Sequence, residues 1–231
     1  MYNHSIRLEE AYRDNNSYYY YNLIWYRGKN QRYRAIQDRI SKYGTSGGFV
    51  ISMSEFKSNA QMSTVLKDAS SIEKLVYSFE PSERCFFELI EARSKLYFDV
   101  DVPPKITITE AIVIENIMFF LKNAFGIIPH QKHILTAHRN DKLSWHIIFP
   151  EFYITREDRK NLSDYILEYS IPFVDSKVYN KTQCLRMKGC CIRNRPETML
   201  ISNSSFQDTL TTNINSKTKH LCIHPINQKR E

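Results

Sequence analysis

The run KLYFDVDV at residues 95–102 constrains the fold more than any other part of this chain. Alternation with a period of two sends Leu96, Phe98, Val100 and Val102 to one face and Tyr97, Asp99 and Asp101 to the other, the pattern of a strand with one apolar face against a core. Pro103 and Pro104 end it, because proline cannot donate to a ladder. Asp99 and Asp101 leave the same face with Cβ atoms roughly 6.6 Å apart, twice the rise of a strand. Carboxylates so placed can clamp two Mg²⁺ or Mn²⁺ ions about 3.5–4 Å apart, which stabilises the attacking and leaving oxygens of a phosphoryl transfer. A lone D-x-D is a weak signal, since a solvated strand face gives the same pattern.

The segments around this strand alternate in type. KLVYSFE and RCFFELI before it read as strands, and Thr107 with Glu110 after it opens a helix with the stripe Ile114, Ile117, Met118, Leu121 and Phe125. HILTAHR and LSWHIIFP form a hairpin through NDK. Thr155 and Asp158 then cap a helix with the stripe Leu162, Tyr165, Ile166 and Tyr169, and FVDSKVY and CLRMKGCC read as short strands. The expected class is α+β, an RRM-like mixed or antiparallel sheet flanked by helices in one domain. Residues 1–72 are expected to form a basic, mostly helical N-terminal lobe. Its helices are RAIQDRISKYG, ending on Gly44, and residues 54–69, where Met62, Val65, Leu66 and Ala69 step by three and four. Residues 73–203 would be the core, and 204–231 a polar tail or linker leading on to a C-terminal helicase in a longer protein.

With 231 residues, 42% of them hydrophobic, the chain can bury a sizeable core, which excludes a disordered tail. Lys and Arg number 32 against 25 Asp and Glu, and the net charge of +7 favours a polyanionic partner. Five cysteines without regular spacing and the absence of an apolar leader in MYNHSIRLEE point to an intracellular protein that is not secreted. AIVIENIMFF is too short and too broken by Glu115 and Asn116 to cross a bilayer, so no membrane role is expected.

Other polar groups fall into pairs on single faces. Ser144 and His146 point together from SWHIIFP while Trp145, Ile147 and Phe149 face the core, so a hydroxyl and an imidazole can donate side by side to a triphosphate. Cys184, Arg186 and Lys188 share a face, and the Arg186 fork can grip phosphate oxygens bidentately. Asp175 offers a third carboxylate for the metal. Any of these alone has a structural explanation at least as good. Cys190, Cys191, His220, Cys222 and His224 lack the paired spacing of a zinc site, and the cysteines read as buried or reactive thiols. Tyr18, Tyr19, Tyr20, Tyr21 and Trp25 are placed either to stack bases or, more commonly for such runs, to fill a core.

In this order YFDVDV, SWH and VDSKVYNKTQCLR resemble the catalytic core of the archaeo-eukaryotic primase superfamily. The resemblance is strongest to the PrimPol branch and to the N-terminal primase domain of poxvirus-type primase-helicases, and it spans roughly residues 85–193. It implies a template-directed nucleotidyltransferase, a DNA primase or polymerase, with Asp99, Asp101 and Asp175 as metal ligands and Ser144, His146, Arg186 and Lys188 on the incoming nucleotide. It further implies two Mg²⁺ or Mn²⁺ ions, NTP or dNTP substrates, a single-stranded DNA template with a primer, and a helicase in cis or in trans. Two departures touch the basic side: Cys184 stands where the family has Asn, and Ile192 where it has Lys, leaving Lys188, Arg193 or Arg195 as substitutes. The densest cationic segment, Arg27, Lys29, Arg32, Arg34, Arg39 and Lys42, is the expected template track, with Arg156, Arg159 and Lys160 as the alternative. Two rival readings are a nonenzymatic RRM-like nucleic-acid-binding domain, which would place aromatic residues where this sheet places carboxylates, and a metal-dependent D-x-D nucleotide-sugar transferase, which leaves Ser-x-His unexplained.

Overall fold

The computed structural model describes residues 17–20, 22–28, 30–45, 47–54, 60–179 and 183–226. In chain order they form β1 (Ser17–Tyr20), β2 (Leu23–Arg27), α1 (Gln31–Tyr43), β3 (Phe49–Ser54), β4 (Gln61–Leu66), α2 (Ala69–Tyr77), β5 (Phe86–Ile90) and β6 (Arg93–Val102). There follow α3 (Glu110–Phe125), β7 (His133–Thr136), β8 (Leu143–Thr155), α4 (Arg156–Glu168), β9 (Gln183–Arg186), α5 (Phe206–Thr209) and β10 (Lys219–His220). The class is α+β, but the strands make two sheets where one was expected. The first has the order β1-β2-β4-β3-β5-β9 and is antiparallel throughout. The second has the order β10-β8-β6, with β7 also on β8.

Among its described residues the N-terminal part is therefore not mostly helical. Residues 61–66, expected as a helix, form β4, which pairs residue for residue with β3 from Phe49↔Leu66 to Ser54↔Gln61. Met62, Ser63, Thr64, Val65 and Leu66 are all buried. A strand covered on both faces loses its alternation, so the spacing of its apolar residues imitates a helix. The opposite error falls on KLVYSFE, whose first residues belong to α2. Asp68 caps that helix by accepting from Ser71 N at 2.8 Å, and Ile72, Leu75 and Val76 face the core. Because β3 pairs with β5, the first sheet also runs across the expected boundary at residue 72.

The strand around Asp99 forms as its alternation requires. Leu96, Phe98, Val100 and Val102 are buried with Trp145, Ile147 and Phe149 of β8 and with Val113, Ile117, Phe120 and Leu121 of α3. Burying each of the larger side chains is worth about 1.5–3 kcal/mol. Helix α3 starts two residues later than expected, with Thr109 rather than Thr107 as its cap. The ladder between β6 and β8 jumps from Leu96↔Phe149 to Lys95↔Tyr153. Pro150, which has no N–H to give, lies in the extra residues of this irregularity.

Residues 206–223, expected as tail or linker, pack into the protein. Phe206, Leu210, Leu221 and Ile223 are buried. The buried Glu88 carboxylate accepts from Thr211 N at 2.9 Å, Thr212 N at 3.0 Å and Thr212 Oγ1 at 2.8 Å, and Lys95 Nζ donates to Asp208 O at 2.9 Å. Isolated apolar residues held by side-chain-to-backbone bonds leave no periodic signal. Among the described residues no helix is long and apolar enough to cross a membrane.

Candidate active site

Antiparallel register brings the two sequence pairs face to face, Asp99 opposite His146 and Asp101 opposite Ser144. Ser144 Oγ donates to Asp101 Oδ1 at 3.0 Å, and His146 Nε2 lies 3.4 Å from Asp99 Oδ1. That approach is not aligned as a hydrogen bond, and Asp99 Oδ1 is buried without a donor.

Asp175 arrives on the other edge of β6. Asp101 N donates to Phe173 O and Asp175 N to Asp99 O, both at 2.9 Å, with an antiparallel bridge between Val100 and Val174. The segment is not the strand expected from FVDSKVY, since Ser176–Tyr179 turns into a 3₁₀ helix. Asp175 Oδ1 caps that turn by accepting from Lys177 N at 2.9 Å. Two tyrosines fasten it to β6: Tyr97 OH donates to Val178 O at 2.8 Å, and Tyr179 OH donates to Tyr97 O.

Arg186 comes from the first sheet, at the end of β9 opposite Phe87. Its Nε and Nη1 are buried without a hydrogen-bond partner. Burial lowers its pKa, against which the Asp99 charge acts. Asp99 itself is pushed up to about 7, first by burial and then by the charges of Asp101 and Asp175, with Lys142 and Arg186 opposing. His146 is held down to about 3 by burial and by the Arg186 and Lys142 charges, so near neutral pH it is an uncharged imidazole.

Lys142 escaped the sequence reading. Its ammonium contacts Asp101 Oδ2. The signal was present, because Lys142 precedes Ser144 and His146 at the same two-residue spacing and so shares their face.

Other expected site residues are engaged elsewhere. Lys188 Nζ donates to Ser204 O, which ties two loops together. Arg39 is buried, bound through Nε and Nη2 to the Glu91 carboxylate and through Nη1 to the carbonyls of Gly44, Thr45 and Gly47. Arg32 donates to Gln61 Oε1 at 2.8 Å, Lys42 pairs with Asp38 at 2.8 Å, and Arg34 lies 5.1 Å over the Tyr26 ring. Arg27 ends β2, and Lys29 lies outside the described residues. On the alternative track Arg159 is fully buried and donates to Glu91 O. Arg195 pairs with Glu197 at 3.0 Å. Trp25 is core; Tyr18, Tyr19 and Tyr20 belong to β1, and Tyr21 is outside the described residues.

Among the described residues no three His, Cys, Asp or Glu side chains are gathered closely enough to hold a metal ion as they stand. Cys190 and Cys191 are buried, with Cys191 Sγ 4.0 Å from Cys85 Sγ, and Cys222 Sγ sits 3.8 Å from His224 Nε2 at the surface. At the carboxylates the donor chemistry nonetheless fits a hard cation: Asp99 has a buried oxygen without a donor, and Asp101 already holds a cationic group.

No protein-family model matches the chain, and no curated protein does. Among solved structures it is similar to the catalytic domain of the primase RepB′, determined in complex with initiator DNA. That similarity has 11% sequence identity, covers 79% of this chain and 89% of the other, and gives a TM-score of 0.38. Chains superposing this loosely need not share a fold.

Proposed function

We propose that this chain is a template-directed nucleotidyltransferase of the primase-polymerase kind. One observation carries the reading: Asp99 and Asp101 stand opposite His146 and Ser144 in register, while Asp175 is bonded to the outer edge of the same strand. Asp99, Asp101 and Asp175 would hold Mg²⁺ or Mn²⁺, which when bound stabilises the attacking and leaving oxygens of the transfer. Ser144 and the neutral His146 would orient the incoming NTP or dNTP by hydrogen bonds, and the two unpartnered nitrogens of Arg186 match a bidentate grip on its phosphates. With these contacts made, the 3′-hydroxyl of a primer on single-stranded DNA attacks the α-phosphate and pyrophosphate departs, with no covalent protein intermediate. Lys188, held on Ser204, is not assigned to the nucleotide.

The test is incorporation of labelled nucleotides on primed and unprimed single-stranded DNA with Mg²⁺ or Mn²⁺. Wild type should make products, and Asp99→Ala and Asp101→Ala should make none while keeping the circular dichroism of the folded chain. His146→Ala and Arg186→Ala should chiefly raise the apparent nucleotide KM. Undiminished incorporation by either aspartate variant would end the assignment. Binding of single-stranded DNA without incorporation by wild type under any of these conditions would favour a nonenzymatic binding domain.

A further inference from the structure

We propose that Lys142 is the resident counter-cation of the metal-free site, its ammonium keeping the place on Asp101 that a divalent ion takes and leaving when the ion binds. The inference rests on the metal-binding reading of Asp99 and Asp101. Lys142 lies one residue beyond the last rung of the ladder, Val102↔Leu143, at the rim of the carboxylate face. Its backbone is held in place: Arg139 N and Lys142 O, and Lys142 N and Arg139 O, exchange bonds at 2.8 and 3.3 Å across the turn. Movement is thereby confined to the side chain. The Lys142 side chain is 35% exposed and that of Asp101 30%, so the ammonium has an open way to solvent.

The energetics favour exchange. Asp99 and Asp101 leave one face of β6 and Asp175 is bonded to its outer edge, so three carboxylates repel one another here, and a single ammonium at the rim cannot neutralise them. It contacts Asp101, while Asp99 Oδ1 stays without a donor. A divalent ion carries twice the charge and shares itself among several oxygens. An ion pair this exposed is weak, so it yields readily to such a competitor. Asp101 turned toward Lys142 and Ser144 also accounts for why the carboxylates are not yet gathered around one point. If Lys142 were instead a permanent strut, its removal would loosen Asp101 and weaken any ion bound there.

Mn²⁺ titration by calorimetry separates these cases, using wild type, Lys142→Met, Lys142→Arg and Asp99→Asn, each shown to be folded by circular dichroism. Lys142→Met should bind Mn²⁺ roughly fivefold more tightly than wild type, the size expected from losing a weak competing ion pair. Lys142→Arg, which keeps the charge, should stay near wild type, and Asp99→Asn should lose most of the affinity. Equal or weaker binding by Lys142→Met, with binding by wild type intact and lost in Asp99→Asn, would overturn the role of Lys142 and leave the metal reading standing. Absence of Mn²⁺ binding in both wild type and Lys142→Met would overturn the metal reading and the role of Lys142 with it.

Discussion

Asp158, buried, and Asp99, largely but not fully buried, are acids in opposite circumstances. Burial alone would raise the pKa of Asp158, but bonds from Ile223 N, Thr155 Oγ1, His220 Nε2 and Thr155 N bring it below the ordinary range. Asp99 lacks such donors and is pushed up to about 7. Donor-rich carboxylates hold structure, and donor-poor ones need a ligand. With its folded pKa below the unfolded value of about 3.9, the folded state binds fewer protons through Asp158. Asp158 therefore contributes stability above that value, and the contribution is lost as pH falls through the folded pKa. Asp158→Asn should lower stability at pH 7 by about 1–3 kcal/mol and flatten the fall in melting temperature below about pH 4. An acid limb as steep as that of wild type would show that other carboxylates set it. The cap between Thr155 and Asp158 was legible in the sequence, as a local i to i+3 pattern. The reach of Asp158 to residues 220 and 223 was not, because no local spacing encodes a contact more than sixty positions away.

At the scale of elements, β6, the hairpin of β7 and β8, and α4 were readable because polar residues alternate with apolar ones along the strands and the helix repeats its apolar residues every three or four positions. The elements misread, β4 and α2, lie where the first sheet is covered on both sides, so period ceases to discriminate. Segment 173–179 was misread for another reason: it joins β6 through two backbone bonds that make a single bridge and then turns, which strand propensity does not anticipate. What holds it is a pair of hydroxyl-to-carbonyl bonds, Tyr97 OH to Val178 O and Tyr179 OH to Tyr97 O, and the two rings sit 5.2 Å apart. Tyr179→Phe keeps the ring and deletes one bond, which should cost about 0.5–1.5 kcal/mol. Hydrogen exchange should quicken at the Asp175 and Val178 amides, with the amides of α3 unaffected. Uniform quickening across the protein would instead mean that the bond supports the whole fold. In the double variant with Tyr97→Phe the losses should be non-additive, since both bonds hold the same seven residues.

For the whole molecule, charge and its placement part company. The net +7 includes Arg39, buried and bonded to the Glu91 carboxylate and to backbone carbonyls, and Arg159, buried with Nη2 on Glu91 O and with Nε and Nη1 unpartnered. A count of basic residues therefore overstates the surface offered to DNA. Under the proposed function the track over α1 narrows to groups whose partners lie at the surface. Arg32→Ala, Arg34→Ala and Lys42→Ala together should weaken single-stranded DNA binding and flatten the slope of log affinity against log salt by about 0.7 for each phosphate contact removed. An unchanged slope would move the template off α1. Arg39 is unsuitable for such a test, because Arg39→Ala strands the Glu91 carboxylate and registers as lost stability.

The packing of residues 206–223, with Phe206 and Leu210 in one buried cluster and Leu221 and Ile223 in another, has a consequence for the order in which the protein can be made. Ribosomes make a chain from its N-terminal side onward, so Glu88 and Lys95 emerge more than a hundred residues before Thr211 and Asp208, the groups that satisfy them. Until then an acid and an amine meant for the interior have only water as a partner, and the strands bearing them, β5 and β6, have reason to stay wet. The strand bearing Asp99 and Asp101 is thus synthesised early and sealed late, and any nascent form of this protein carries its proposed active site on an unfinished wall.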